Sequence, residues 1–391
     1  MSVLRAREGG GRHHDGREPF VIQGDVIVLL LVVLACGWIW HSAFRSKPEP
    51  QIPVQRMQRQ LDECPFTIRQ VNKTTYVVRE LDRFGENPHI YVKKHTESLP
   101  NGRTSTILII NDTGCGTTAR SKTSRTGQWN IKTFIDHHLN PSGSAPYLII
   151  LSHCHYDHIL GLGPILQPGK IAGLPQSAHT LIASSSYARS FLEPRTSLRE
   201  HSLCNSMNLV CPSYKTTTWA QHNHRLSVSH PRLEVIPMHL PVTTLHTPGH
   251  TPDSLSWFDE EERALYVGDS LYEAPAPILF PSEGNLADWW RSVDLLIAFV
   301  MEKNEMQGEK RVTLSAGHVT VGVDALGCLT DAREFMKRVL RDEVAFEEQP
   351  MKRGEPFGQW QEDGRFSLGA PLRVVQEGRL SIPEDEWRSN V

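Results

Sequence analysis

The stretch Tyr147-Leu148-Ile149-Ile150-Leu151-Ser152-His153-Cys154-His155-Tyr156-Asp157-His158-Ile159-Leu160-Gly161-Leu162-Gly163 decides the reading of this chain. Its apolar run, Tyr147 to Leu151, has the length and character of a strand buried on both faces. The run stops at Ser152, and metal-binding side chains follow at His153, His155, Asp157 and His158. A loop leaving a buried strand is where a rigid scaffold presents chemistry. His153 and His155, two positions apart, can point the same way from an extended loop. Asp157 and His158 are adjacent and must diverge, which suits a second metal or a turn into a helix. The chain holds 19 His in 391 residues, so one close pair would mean little. Four fitting positions in one short window, joined by the matches below, point to a metal site.

Composition narrows the field. The net charge is −3, which gives no support for a nucleic-acid surface. The 7 cysteines (Cys36, Cys64, Cys115, Cys154, Cys204, Cys211 and Cys328) are odd in number and widely spread, unlike a disulfide framework. Length permits one large domain or two small ones.

Residues 1–25, rich in Gly, Arg and His, read as a disordered tail. Val26 to Trp40 is an unbroken apolar run, and no charge appears before Arg45. With its flank, 26–44 reaches the roughly 17 to 25 residues that span a bilayer, and Trp38 and Trp40 sit where interface anchors sit. The long leader and the bulky Trp-Ile-Trp speak against a cleaved signal peptide. The reading is a single-pass membrane anchor. Its orientation is open, because arginines and lysines flank it on both sides. Residues 45–65, with three prolines between Lys47 and Val54, read as a linker.

A catalytic domain is expected over 66–345. Thr74–Val78, Ile90–Lys94 and Thr104–Asn111 have strand character, and the last leads into Asp112-Thr113-Gly114. Thr180–Ser184 reads as another strand. The polar segment 193–232 shows no clear period and reads as an insertion; its Cys204, Cys211, His222 and His224 fit no usual structural zinc spacing. Further on, a hairpin with Asp259–Arg263 as its turn carries His250 at one end and Asp269 at the other. Trp290, Val293, Ile297 and Met301 mark one core-facing helix stripe, and Ala332, Phe335, Met336 and Leu340 another. His318 follows the strand Val312–Ser315. The extension 346–391 is expected to wrap the surface or fray. Alternating strands and helices with ligand types at strand ends argue for helices packed on sheets and one site built from several loops.

At this point the residues resemble a family. His153-x-His155-x-Asp157-His158, then His250 in Thr-Pro-Gly-His-Thr-Pro, Asp269 in Val-Gly-Asp-Ser and His318 in Ala-Gly-His are similar to the motifs of the metallo-β-lactamase superfamily, with Asp112 resembling its first motif. The resemblance covers roughly Thr67 to Arg341. It implies an α/β fold, the αββα sandwich, with the site at one edge of its two sheets. It also implies that His153, His155 and His250 hold a first zinc, that Asp157, His158 and His318 hold a second, and that Asp269 bridges them. Asp112 would orient a ligand from behind, and Asp157 would also hold the nucleophile. Two zinc ions, with iron or manganese as open alternatives, can generate a hydroxide near neutral pH and polarise the scissile group.

Departures choose among members. Asp269 stands where common di-zinc β-lactamases have Cys, which argues against antibiotic hydrolysis. His155 stands where flavin-coupled diiron reductases have Glu. The absence of basic character disfavours the nucleases. The remaining resemblance is to glyoxalase II-like, lactonase and acyl-thioesterase members, which implies cleavage of an ester, thioester or lactone with a small-molecule or acyl substrate. The alternatives are a mononuclear iron persulfide dioxygenase and a non-catalytic binding protein on the same fold. Ile278, Leu279 and Phe280 either line an apolar acyl pocket or pack in the core.

Overall fold

The structure is a computed structural model describing residues 64–99, 101–124, 126–166, 180–234, 236–306 and 310–388. The expected tail, the 26–44 anchor and nearly all of the linker lie outside the described residues. Among the described residues no helix is long and apolar enough to cross a membrane.

The chain opens with an antiparallel meander, β1 (Phe66–Gln70), β2 (Thr75–Glu80), β3 (His89–Ser98) and β4 (Thr104–Asn111). A small hairpin, β5 (Ala119–Arg120) with β6 (Gln128–Trp129), leads to helix α1 (Ile131–Leu139). Asn130 caps that helix, its side chain accepting the Thr133 N–H while Thr133 answers the Asn130 N–H. Strands β7 (Tyr147–Ile150), β8 (Thr180–Ser185) and β9 (Thr218–Ala220) then add in parallel, giving the order β1-β2-β3-β4-β7-β8-β9.

A second sheet runs β10 (His224–Val228), β11 (Met238–His246), β12 (Leu255–Asp259), β13 (Ala264–Tyr266), β15 (Thr313–Ser315) and β16 (Val323–Asp324). Strand β14 (Ile278–Leu279) lies in the loop between β13 and β15.

Strand alternation makes the layers. Ile107 and Ile109 of β4 face the second sheet and pack in one cluster with Leu240, Val242 and Trp257. Leu108 and Ile110 face the other way, onto Phe134 and Ile135 of α1. The outer face of the second sheet, through Phe258, Leu265 and Leu314, is covered by helices at 286–306 and 325–340. This is the expected αββα sandwich. A buried ion pair crosses between the sheets: Lys93 Nζ lies 2.9 Å from Asp259 Oδ2, with both side chains 0% exposed.

Three expectations change. The extension does not fray over its described residues, 346–388. β17 (Phe346–Lys352), β18 (Glu355–Gln361) and β19 (Ser367–Pro371) form a four-stranded sheet with β14, and Trp360, Phe366, Leu368, Val374 and Val375 join the core under the two covering helices. The 193–232 segment is woven into the sandwich, because it supplies β9 and β10, edge strands of the two sheets. On the 286–306 helix the buried stripe runs through Leu286, Trp289, Trp290, Val293, Leu296 and Val300, leaving Met301 exposed.

Candidate metal centre

Every candidate ligand sits just beyond the end of a strand. β7 stops at Ile150, and its continuation is held by Leu151 N–H donating to Ala183 O. His155 adopts an extended conformation and stands at the N-terminus of the short helix Tyr156–Ile159. The turn into that helix separates Asp157 and His158 from the two preceding histidines. His250 follows β11, Asp269 follows β13 and His318 follows β15. Two glycines allow the close approach. A Cβ on Gly249 (φ +150°) would lie 2.5 Å from Trp289 Cα, and one on Gly317 would lie 2.2 Å from Asp269 Oδ1.

The side chains converge in two buried groups, His153/His155/His250 and Asp157/His158/Asp269/His318, with ligand atoms in each within 4.8 Å of one another. In the first, His155 Nδ1 lies 2.9 Å from His153 Nε2 and 3.0 Å from His250 Nε2. In the second, Asp157 Oδ2 lies 3.2 Å from both His158 Nε2 and His318 Nε2, and the Asp269 oxygens lie 3.4 Å from each of the same nitrogens. His158 Nε2 and Asp269 Oδ1 are buried with no hydrogen-bond partner among the described residues.

The outward-facing nitrogens fix the tautomers. His250 Nδ1 donates to Leu279 O at 2.7 Å, and His318 Nδ1 donates to Glu86 O at 2.9 Å. His158 Nδ1 donates to Asp112 Oδ2 at 3.0 Å. Ser152 Oγ donates to Asp112 Oδ2 at 2.7 Å, so its lone pair accepts from His153 Nδ1 at 3.0 Å. Four imidazoles therefore turn Nε2 inward, the orientation that ligating histidines require. Imidazole and carboxylate donors of this kind suit zinc, and the residues present fit it.

Electrostatics divides the site. Burial, then the neighbouring His158, His155 and His250, hold His153 well below the usual histidine range. Burial and His250 bring His155 down to about 3. Burial alone would raise Asp157 and Asp269, but His158 and His318 outweigh it and hold both carboxyls well below their usual range. One half is thus neutral imidazole; in the other, burial would lower His158 and His318, but the ionised Asp157 and Asp269 outweigh it and hold His158 well above the usual histidine range and His318 up to about 10.

Asp112 stands behind the two candidate groups, hydrogen-bonded to His158 Nδ1. Its Oδ1 accepts the Ser152 N–H at 2.7 Å, and its backbone takes a left-handed φ of +61°. Cys154 is buried and belongs to neither ligand group. Of the apolar trio, Ile278 and Phe280 pack in the core, whereas Leu279 lines the cleft over the ligands.

That cleft has a volume of about 640 Å³. Arg79, Glu86, His89, Tyr156 and Tyr272 line it beside the ligands, and Tyr156 donates its hydroxyl proton to Glu86 Oε1. Sequence reasoning misses these side chains, and it misses the supporting carbonyls of Glu86 and Leu279. A backbone acceptor carries no residue-type signal. Ser152, next to His153, is the one such residue placed where the sequence could have shown it.

The family model of the metallo-beta-lactamase superfamily matches residues 104–307, more than half of the chain. The chain belongs to the metallo-β-lactamase superfamily. A protein of Aspergillus versicolor described as "Putative transcription factor avaE" is 28% identical over 329 residues, 81% of this chain and 89% of that one. The "Probable metallo-hydrolase YqgX" of Bacillus subtilis is 26% identical over 140 residues, 36% of this chain and 56% of that one. Among solved structures, the metallo-beta-lactamase family protein TTHA1429 of Thermus thermophilus aligns with TM-score 0.44 and 17% identity, covering 72% of this chain and 85% of its own. The superfamily protein ST1585 of Sulfolobus tokodaii aligns with TM-score 0.40 and 16% identity, covering 64% and 81%.

Proposed function

We propose that this chain is a zinc-dependent hydrolase of an ester, thioester or lactone. The observation that carries the reading is the convergence of seven buried ligand side chains, four of whose imidazoles have the outward nitrogen already tied. A binding protein that had abandoned chemistry would have little reason to keep His158 Nε2 and Asp269 Oδ1 buried without a hydrogen bond. His153, His155 and His250 would hold one ion, and Asp157, His158 and His318 a second, with Asp269 between them. Bound zinc would supply Lewis-acid polarisation and a water whose pKa falls to about 7.

The protein's own groups do the rest. Asp157 lines the cleft, and its Oδ2 faces the two histidines. That leaves Oδ1 to accept a proton from the attacking water and hold it in line with the carbonyl. Asp112 keeps His158 in one tautomer throughout. Leu279 and Tyr272 line the cleft beside the ligands. The name of the Aspergillus relative brings no nucleic-acid reading here, because the chain's net charge of −3 lacks the basic footprint such binding needs. The membrane anchor at 26–44 remains part of the proposal, and detergent-dependent extraction of the full chain tests it.

The test is turnover. Zinc-loaded full chain is incubated with acyl thioesters, aryl esters and acyl lactones of graded length, beside Asp157→Ala. Hydrolysis of at least one class, lost in the variant, is expected. Zinc-loaded protein inert to all three, or a variant as active as the parent, overturns the proposal. Oxygen uptake with a persulfide substrate would point to the dioxygenase instead.

A further inference from the structure

From Arg263 to Arg388 each arginine side chain meets a carboxylate or a backbone carbonyl. Arg69 and Arg79 are exposed and meet neither among the described residues. Their placement is not random. Antiparallel pairing sets Arg69 opposite Val77 and Arg79 opposite His89, so Arg69, Val77, Arg79 and His89 share one face of the first sheet. Val77 belongs to the core between the two sheets, so this face opens at its edge into the metal cleft, where Arg79 and His89 both form part of the lining.

No ion pair to either guanidinium group is present among the described residues. His89 lines the cleft beside Arg79. Glu86, which lines the same cleft, accepts the Tyr156 hydroxyl rather than an arginine. Elsewhere the cleft is lined by Pro275, Ala276, Pro277, Leu279, Pro281 and Val319. A planar guanidinium left unpaired beside an apolar wall is a receptor for a carboxylate or phosphate carried on an apolar molecule.

We propose that Arg79, backed by Arg69, binds an anionic group of the substrate, a carboxylate or a phosphate, while the Pro275–Pro281 loop receives its apolar acyl portion. This rests on the hydrolase reading and narrows it to acyl esters or thioesters that carry negative charge.

The test uses zinc-loaded full chain and three octanoyl thioesters: of N-acetylcysteamine (neutral), of 3-mercaptopropionate (carboxylate) and of coenzyme A (phosphate). Non-hydrolysable thioether analogues of the same three are titrated by calorimetry. A KM for an anionic probe lower than the neutral one by roughly tenfold or more is expected, and the arm that shows it identifies the anion. Arg79→Met should abolish the preference through KM, Arg79→Lys should keep most of it, and Arg79→Glu should reverse it. Arg103→Met, at an arginine paired with Glu234, serves as the control and should leave the ratio unchanged. Equal KM for all probes, or a preference that survives Arg79→Met, overturns the proposal. Thioethers that bind roughly tenfold more weakly to Arg79→Met while no thioester is cleaved would sink the hydrolase reading and leave the anion site standing. Cleavage that is indifferent to Arg79 would do the reverse.

Discussion

Asp112 Oδ2 lies 3.0 Å from His158 Nδ1, and the same carboxylate holds both the backbone N–H and the hydroxyl of Ser152 at 2.7 Å. One side chain therefore positions a ligand of the second group directly and His153 of the first through Ser152. Asp112→Asn cannot accept at all these positions, since one oxygen becomes a donor facing other donors. The expected result is a loss of roughly 10- to 100-fold in affinity for the second zinc, read by chelator competition. An unchanged affinity would refute the positioning role. Asp112 also adopts a left-handed φ of +61° to stand there.

Gly317 leaves no room for a side chain. A Cβ there would lie 2.2 Å from Asp269 Oδ1 and 3.0 Å from His158 Cε1. Gly317→Ala should push the carboxylate aside and empty the second group while the three-histidine group still binds. Zinc content should fall while circular dichroism stays native. Parent-like stoichiometry would count against the packing described here.

Lys93 and Asp259 form an ion pair with both side chains 0% exposed. Removing Lys93 strands Asp259 as a buried charge, and Glu261, 2.9 Å from the same nitrogen, loses its partner too. Lys93→Met should lower unfolding free energy by about 3–5 kcal/mol, measured by urea titration. The double variant Lys93→Met/Asp259→Leu should recover much of that loss, because the pair itself contributes little net stability. A single variant as stable as the parent would contradict the burial.

Glu80 anchors the turn after Asp112, accepting the N–H groups of Cys115 and Thr117. Burial outweighs these bonds and pushes its carboxyl up to about 7. A carboxyl raised on folding binds its proton more tightly in the native state. Its contribution is present below the unfolded value near pH 4.5 and is lost as pH rises toward 7. Relative to Glu80→Gln, the parent should therefore lose on the order of 3 kcal/mol between about pH 4.5 and 7.5. Parallel stability curves for the two proteins would rule this out.

The parts of this molecule legible in its sequence are those where residue type alone carries the signal. The run Thr104–Asn111 is apolar on both faces because Ile107 and Ile109 meet one layer and Leu108 and Ile110 the other. Each ligand motif follows such a run, so strand ends and site can be read together. Glu86 and Leu279 stay hidden because they act through carbonyl oxygens. The C-terminal segment stays hidden because strand β17 is largely exposed and reads as loop, while β19 pairs Leu368 with Ile278 of β14, far back in the chain. Arg79 stays hidden because its meaning lies in what it does not touch.

The most direct measurement is metal content by elemental analysis of the purified chain, beside Asp269→Ala. Asp269 stands in the second ligand group, 3.4 Å from His158 and His318. About two zinc atoms per chain are expected, falling in the variant. A single iron, or no metal in protein that is folded and carefully purified, would contradict the dinuclear zinc site and the hydrolase built on it.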